Sequence, residues 1–220
     1  TMQRGIIGEM TEKQKGYLDQ LYQLNERMIQ LVSEMLSALR LEGGTESTKK
    51  ELILISNLYK DLPIAMAAAA KSREIILRNN LKNYKAVAVE TDREILKSII
   101  ECFISNAINY SQNGQEVVLD AKEEPAAVAF FVKDSGIGIP KDEQKRMFER
   151  FYRASNAKAF KPGGFGLGLS IAKTLAEKIG AEISFKSEEN KGSTFYLRIP
   201  RGSNEDAIVR NSSSKIEIKI

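Results

Sequence analysis

The chain has 220 residues, of which 42% are hydrophobic, which suits one large domain or a domain with an appendage. Its net charge of +4 is too small to indicate a nucleic-acid partner, and no apolar stretch reaches the roughly 18 residues that a membrane span needs. The single cysteine, Cys102, excludes a disulfide framework, and the lack of histidine excludes histidine-based catalysis and histidine-ligated zinc. We expect a cytoplasmic location for this domain, and membrane anchoring of the intact protein is left open.

The first predicted element is a long helix. Thr11 and Gln14 form a capping-box pattern, which is typical of a helix start. Apolar residues then recur at alternating spacings of three and four over residues 18–39, and two glycines end the pattern. The helix would have about 30 residues. Its length favours a dimerising bundle over a helix packed only on its own domain, and residues 1–48 are assigned to this region.

Residues 49–200 are predicted to form the main domain, and residues 201–220 a polar tail. Apolar runs rich in β-branched and aromatic residues predict strands at 51–55, 75–77, 86–89, 115–121, 126–132, 182–186 and 193–199. Helical periodicity predicts helices over 56–73, 91–110, 141–149 and 166–179, and the polar segment 154–164 is predicted to be a loop that works as a lid.

The predicted helix 91–110 carries polar residues near its end. Asn106, Asn109 and Tyr110 share one face because they are spaced by three and four. Asparagine is unfavourable inside a helix. Proximity to the helix end accounts for Asn109 and Tyr110, whereas Asn106 lies between apolar residues and is the stronger candidate for a functional side chain.

Two glycine clusters follow. The predicted strand 126–132 leads into Asp134, Gly136 and Gly138, where alternate glycines allow positive φ and close approach to a flat ligand. The carboxylate could accept hydrogen bonds from a ligand's amino group, but on these residues alone an ordinary Asp/Gly turn is the stronger interpretation, and the second glycine cluster is what favours a ligand site. The second cluster, residues 163–168, opens a predicted helix whose first N–H groups would suit an anion.

In order and spacing, Asn106 and the segments 134–138, 148–153 and 164–169 resemble the nucleotide-binding motifs of bacterial sensor histidine kinases. The turn at 192–195 and the leading helix fit as well. The resemblance implies an ATP-binding catalytic domain of the gyrase, heat-shock chaperone, histidine kinase and mismatch-repair superfamily, preceded by the second helix of a dimerisation hairpin. The implied fold is an α/β two-layer sandwich of helices on a mixed sheet.

The resemblance also implies the ligands, which are ATP and Mg²⁺. Asp134 would accept from the adenine amino group, Asn106 would ligate the metal through its carbonyl oxygen, and Arg153 with the lid would contact phosphates. No catalytic residue is assigned. The full implied nucleotide-binding set is Asn106, Asn109, Tyr110, Asp134, Gly136, Ile137, Gly138, Tyr152, Arg153, Gly164, Gly166, Leu167, Gly168, Leu169 and Thr194.

The sequence departs from the family pattern at three points. Cys102 stands where the family usually has an asparagine, and a thiol is a poor Mg²⁺ ligand. Asn109 stands where the family often has a lysine, so a charge is missing. The phosphoacceptor histidine is expected before Thr11, and the chain has none. A truncated kinase is the expected explanation, and natural loss of the site is the alternative.

Three functional hypotheses follow. The first is the ATP-binding kinase domain of a two-component sensor, which positions the γ-phosphate for a histidine outside this chain. Its partners would be a second copy, through the helical bundle, and the receiver domain of a response regulator. The second is a pseudokinase-like module that binds nucleotide weakly. The third, a gyrase-type, mismatch-repair or chaperone ATPase, is disfavoured by segment 148–153, by the leading helix and by the lack of a carboxylate at position 102.

Overall fold

The structure, a computed structural model, describes residues 10–22, 24–25, 28–29, 48–61 and 64–201. Helix α1 begins at residue 12, and its described part covers residues 12–22, 24–25 and 28–29. The predicted capping box is confirmed, since Gln14 N donates to Thr11 Oγ1 over 3.3 Å and Thr11 N donates to Gln14 Oε1 over 2.9 Å. The later part of the predicted helix and the tail beyond residue 201 lie outside the described residues.

The remaining elements alternate between strands and helices. In chain order they are β1 (Lys50–Leu54), α2 (Ile55–Asp61), α3 (Ile64–Ser72), β2 (Ile76–Asn79), β3 (Ala88–Asp92), α4 (Arg93–Tyr110), β4 (Glu116–Glu124), β5 (Ala127–Asp134), α5 (Ser155–Phe160), α6 (Gly168–Lys178), β6 (Glu182–Glu188) and β7 (Gly192–Pro200). Within the described part of the chain, no helix is long and apolar enough to cross a membrane.

Five of these strands form a mixed sheet in the order β2-β4-β5-β7-β6. β2 runs parallel to β4, and the other neighbouring pairs are antiparallel. β1 and β3 form a separate antiparallel pair. The predicted α/β fold with helices on a mixed sheet is confirmed.

Side-chain alternation decides which face of the sheet is covered. Along β7, Phe195 and Leu197 are buried while Tyr196 between them is partly exposed, because successive strand residues point to opposite faces. Phe195 packs against Phe103 of α4, with ring centroids 5.5 Å apart. The helices α4 and α6 also contact each other, so they form one layer and the sheet forms the other.

Helix α4 is fixed at both ends. At its start, Asp92 Oδ1 accepts from the N–H groups of Glu94 and Ile95, each over 3.1 Å, which is an ordinary N-cap. At its end, Arg73 Nη1 donates to the carbonyls of Ile108 and Asn109, each over 2.8 Å. A guanidinium group satisfies carbonyls that a helix end leaves without partners. The polar end of α4 is thereby held in place.

Two predicted segments differ in the structure. The predicted helix 141–149 contains turns and a 3-10 helix, Gln144–Arg146, because the Gln144 side chain bonds the carbonyls of Ile139 (3.0 Å) and Ser187 (3.1 Å). The predicted loop 154–164 contains α5. Glu143 caps this helix by accepting from Ser155 N over 2.9 Å, a contact twelve residues apart that local sequence does not indicate.

Several boundaries also shift. The predicted helix 56–73 corresponds to α2 and α3, and residues 62–63 between them lie outside the described residues. β3 covers Ala88–Asp92 instead of 86–89. Thr91 therefore lies in a strand, and the helix that the sequence predicts to start there begins at Arg93.

Candidate functional site

Four segments meet at one cleft of about 1530 Å³. They are the polar end of α4, the loop after β5, the lid segment and the start of α6. The predicted site residues in the lining are Asn106, Asn109, Tyr110, Asp134, Ile137, Gly138, Tyr152, Arg153, Gly164, Gly166, Leu167, Gly168 and Leu169. Gly136 and Thr194 are not in the lining. The fold thus brings together residues up to 63 positions apart, from Asn106 to Leu169.

Asp134 ends β5 and is 6% exposed. Its Oδ1 atom accepts from Gly136 N over 2.9 Å and from Ser193 N over 3.1 Å. Burial raises the pKa of Asp134 above its usual value, and these two N–H groups oppose the rise. Its Oδ2 atom has no hydrogen-bond partner among the described residues, so one carboxylate oxygen at the cleft remains able to accept from a ligand.

The two glycines of this loop fit against protein backbone. A Cβ atom on Gly136 would lie 2.2 Å from the Tyr110 carbonyl oxygen, and one on Gly138 would lie 2.0 Å from the Glu188 carbonyl oxygen. Gly138 has φ +60°, whereas Gly136 is not in the left-handed region. Both glycines are therefore needed for contacts within the protein, and Gly136 lets the loop contact the end of α4. Their close approach to a ligand stays a prediction.

Ser193 is a site residue that sequence reasoning missed. Its N–H bonds Asp134, and it lines the cleft. The predicted residue Thr194 lies on the other face of β7, paired with Lys133 and Lys186 in the neighbouring strands. Alternation along the strand could have revealed this, because Ser193 shares its side with the apolar Phe195.

Asn106 lies on the cleft side of α4. Its Nδ2 atom is 3.8 Å from Cys102 Sγ, and its Oδ1 atom has no hydrogen-bond partner among the described residues. Cys102 is packed closely against α6, because a Cβ atom on Gly168 would lie 3.3 Å from its sulfur. An amide oxygen suits Mg²⁺. In the described part of the chain, no group of three or more His, Cys, Asp or Glu side chains could hold a metal.

Glu101 also lines the cleft, next to Cys102. Burial raises the pKa of its carboxyl group, Lys97 at 4.0 Å lowers it, and Glu94 raises it further. One oxygen of Glu101 is buried and has no hydrogen-bond partner in the part of the chain that the structure describes. A carboxylate is therefore close to the position where the family pattern has an asparagine.

The side chain of Asn109, on α4, contacts both its own helix and the lid. Its Nδ2 atom donates to Ser105 Oγ over 3.4 Å, and its Oδ1 atom accepts from Lys161 Nζ. Burial lowers the pKa of Lys161, and the nearby Arg73 and Arg153 lower it further. The lid therefore brings a cation to the position where α4 carries an uncharged amide.

Arg153 connects the lid to the end of α4. Its Nη2 atom donates to the carbonyls of Lys161 over 2.6 Å and Ala157 over 3.1 Å, and it lies 3.5 Å from Tyr110 Oη. Its Nη1 atom lies 3.5 Å from the Gly164 carbonyl oxygen. Its Nε atom is buried and has no hydrogen-bond partner among the residues described.

The start of the lid is anchored by two residues that carried no sequence signal. The Glu143 carboxylate accepts from Tyr152 Oη over 2.6 Å and from both the N–H and the hydroxyl of Ser155. These hydrogen bonds, with Ser155 Oγ as the largest cause, lower the pKa of Glu143. Asn156 Nδ2 donates to the Gly138 carbonyl over 3.0 Å. The lid thus contacts the loop that carries Asp134.

Comparison with known proteins identifies the family and the fold. Residues 91–203 match the family described as "Histidine kinase-, DNA gyrase B-, and HSP90-like ATPase". The chain is 35% identical over 177 residues to the sensor histidine kinase WalK of Bacillus subtilis (strain 168), covering 80% of this chain and 29% of WalK. It is 30% identical to the sensor-like histidine kinase SenX3 of Mycolicibacterium smegmatis, covering 84% of this chain and 48% of SenX3.

The structure resembles that of full-length ShkA in complex with AMPPNP, with a TM-score of 0.67 and 24% identity, covering 87% of this chain and 40% of that one. The chain spans less than half the length of each of these proteins. The matched family region covers the cleft from α4 to β7 and more than half of the chain. The chain therefore belongs to the histidine kinase-, DNA gyrase B- and HSP90-like ATPases, and it contains the ATP-binding catalytic domain of a sensor histidine kinase.

Proposed function

We propose that the cleft binds ATP with Mg²⁺ and positions the γ-phosphate for transfer to a histidine outside this chain. The observation that carries the proposal is the state of Asp134. One of its oxygens is occupied by two backbone N–H groups, and the other has no partner among the described residues. The second oxygen lies at the cleft, where a donor from a ligand would offset the desolvation of this carboxylate.

The base would be recognised by a hydrogen bond to Asp134 Oδ2. The exocyclic amino group of adenine is a donor and would complete the hydrogen bonding of the carboxylate. Guanine carries a carbonyl at the same place, and two acceptors facing each other repel. Ile137 and Gly138 would line the base, and Tyr110 would flank the base or the ribose.

The phosphates would lie at the start of α6 and under the lid. No side chain caps α6, so its first N–H groups remain available, and the helix dipole favours negative charge there. The segment from Gly164 to Leu169 would lie along the phosphate chain. Arg153 supports this assignment, because it lies beside Gly164 and its Nε atom has no partner among the described residues.

Mg²⁺ would be ligated by Asn106 Oδ1, by phosphate oxygens and by water. Bound there, the ion would neutralise phosphate charge, and the residues of the chain would supply position and electrostatic stabilisation. Cys102 is not a suitable ligand for this hard cation. The metal contacts from α4 are therefore few, and we expect weaker Mg-ATP binding than a site with two amide ligands would give.

The phosphoacceptor and the partners are also part of the proposal. The chain has no histidine, so the acceptor must be supplied from elsewhere. The described part of α1 exposes large apolar side chains, including Leu21 (62%) and Met28 (63%), which supports a homodimeric bundle built on residues 1–48. A response-regulator receiver domain would take the phosphoryl group. Residues 49–200 would form the catalytic domain and residues 201–220 a tail.

Calorimetric titration with Mg-ATP tests nucleotide binding, with Asp134→Asn as the matched variant. Asparagine keeps an Oδ1 acceptor for Gly136 N and Ser193 N, and it replaces only the free oxygen with a donor. We expect saturable binding by the wild type and a large loss in the variant. Absence of saturable heat, or equal binding by both proteins, would contradict the proposal.

Transfer is tested separately with labelled ATP and a histidine-bearing bundle fragment. The proposal expects label on the histidine fragment and none on the wild-type chain alone. Tight ATP binding with no transfer to any such fragment would favour the alternative of a catalytically weak nucleotide-binding module.

A further inference from the structure

The lid lysine Lys161 lies with its ammonium group on the polar face of α4. Its Nζ atom donates to Asn109 Oδ1, while Asn109 Nδ2 donates to Ser105 Oγ over 3.4 Å. The acceptor end of the amide is thus turned to the lid and its donor end to Ser105. In this orientation one N–H of Asn109 is used by Ser105, and the charged group that faces an anion at this position is the lysine.

Lys161 belongs to a group of three cations without counter-charges. Among the described residues, Arg73, Arg153 and Lys161 form no ion pair, since Arg73 donates to main-chain carbonyls and Arg153 to carbonyls and the Tyr110 hydroxyl. Burial together with these two guanidinium groups disfavours the charged form of Lys161 and lowers its pKa. An anion placed among the three would relieve this repulsion.

The backbone holds Lys161 close to the glycine cluster. Arg153 Nη2 bonds the Lys161 carbonyl over 2.6 Å, and Arg153 Nη1 lies 3.5 Å from the Gly164 carbonyl. Lys161, Gly164 and Gly168 all line the same cleft as Asn106. Lys161 contacts Asn109 directly and is linked through Arg153 to Gly164, so it lies beside the glycine cluster, which is the part of the cleft proposed for the phosphates.

We propose that Lys161 supplies from the lid the phosphate-binding cation that α4 lacks at position 109, its ammonium moving from the Asn109 amide to the β- and γ-phosphates of ATP. This inference rests on the proposed binding of ATP in the cleft. The exchange is favourable because a hydrogen bond between two charged groups is stronger than one to a neutral amide. The contact that holds the lid on α4 would thus be replaced by one that depends on the terminal phosphates.

The first test compares the dissociation constants of ATP and AMP, by calorimetry, for the wild type, Lys161→Ala and Lys158→Ala. We expect Lys161→Ala to weaken ATP binding about tenfold and to leave AMP binding within about twofold, since one charge-assisted hydrogen bond is lost. Lys158 is a matched control, because it lies in the same lid, is exposed and does not line the cleft. We expect its variant to bind both nucleotides as the wild type does.

The second test moves the charge back to the helix. Asn109→Lys in the Lys161→Ala background places an ammonium group on α4 near the position that Lys161 Nζ occupies. We expect the double variant to recover most of the lost ATP affinity. A loss in Lys161→Ala that is equal for ATP and AMP, or that Asn109→Lys does not reduce, would overturn the inference.

The outcomes distinguish this inference from the proposed function. If the wild type binds AMP and Asp134→Asn abolishes that binding, the base site is correct whatever Lys161 does. Unchanged ATP affinity in Lys161→Ala would then overturn the lysine proposal alone. If the wild type binds neither nucleotide, both proposals fail.

Discussion

At one end of the cleft, the buried Asp134 carboxylate accepts from backbone N–H groups. At the other end, the contacts are made by the partly exposed side chains of Lys161 and Arg153. Asp134 bonds two backbone N–H groups, and Gly136 leaves no room for a side chain beside the Tyr110 carbonyl. Lys161 instead holds the lid through the side chain of Asn109 and the guanidinium group of Arg153. Backbone contacts are costly to break, and side-chain contacts of this kind can exchange for a ligand.

The difference suggests that the two ends of the cleft bind different parts of the nucleotide, the Asp134 end the base and the Lys161 end the phosphates. A preformed acceptor at the base end suits recognition of a constant part of the ligand, because nothing has to move on binding. Cations on a lid suit the phosphate end, where charge changes during phosphoryl transfer. Substitutions at each end of the cleft test whether the two ends behave independently.

Gly136→Ala should destabilise the fold most. Its Cβ atom would lie 2.2 Å from the Tyr110 carbonyl oxygen, which belongs to the fixed end of α4. We expect the free energy of unfolding to fall by about 3 kcal/mol, measured by urea denaturation. The control is Gly114→Ala, which has φ +81° but no atom within 4 Å, and should lose only about 1 kcal/mol. Equal losses would show that the loop is not fixed by this contact.

Asp134→Asn should lower ATP affinity about 100-fold, because a donor would face the adenine amino group. The variant should keep its fold, since both bonds to Oδ1 remain available. Because burial raises the pKa of Asp134 in the folded state, wild-type stability should fall as pH rises from 3.8 through the raised pKa and then level off.

The amide side chain introduced by Asp134→Asn does not ionise, so this part of the pH dependence should be absent from the variant. Chemical denaturation of both proteins across this pH range measures the difference. Parallel stability curves would mean that Asp134 is not a buried carboxylate, which would remove the basis of the contrast.

Glu143→Ala should destabilise α5 in the lid and leave β5, which carries Asp134, unchanged. The variant loses the cap on Ser155 N and the bond from Tyr152, so amide exchange in α5 should become about five- to tenfold faster. Exchange in β5 should not change. Glu149→Ala is the control, because that carboxylate pairs with Arg146 and not with α5. Faster exchange in β5 would indicate that the two ends are not independent.

The contact between Glu143 and the lid should also weaken as pH falls. Hydrogen bonds lower the pKa of Glu143 below 4.5, so the stabilisation by Glu143 is present above pH 4.5 and is lost as pH falls through the folded pKa. Protection of the α5 amides, which is the intrinsic exchange rate at each pH divided by the observed rate, should therefore fall in acid in the wild type and not in Glu143→Ala.

The smallest expected effect is proton uptake at Lys161. Its lowered pKa means that part of the population is neutral in alkaline solution, and phosphate binding would restore the charge. ATP binding at alkaline pH should then take up a fraction of a proton, measured by calorimetry in buffers of different ionisation enthalpy. Lys161→Arg should show none, because arginine stays charged. Uptake that persists in Lys161→Arg would assign it to another group.

Much of this architecture follows from local patterns. Apolar runs, helical periodicity and the capping box at Thr11 predicted the strands and helices, because secondary structure depends on spacing over a few residues. The layered fold was implied by the resemblance of the motifs to those of sensor histidine kinases. The order of the Asn106, Asp134 and glycine motifs likewise predicted one shared cleft. Their binding roles remain predictions.

Other features depend on contacts that sequence spacing does not indicate. The cap of α5 comes from Glu143, and the partner of Asp134 is Ser193, 59 residues away. The Glu143 carboxylate carries no local signal, so the predicted lid had no helix. Strand alternation places Ser193 on the same side as Phe195, but only the fold pairs it with Asp134, and the predicted site had Thr194 instead.

Motif order and spacing in the sequence indicate the family, and the family implies the two-layer fold and the segments that meet at the cleft. Only the folded structure shows which Asp134 oxygen has no partner among the described residues, why Gly136 must be a glycine and which lid cation contacts Asn109. These depend on distances of a few ångströms between residues far apart in the chain, and no spacing along the chain encodes them.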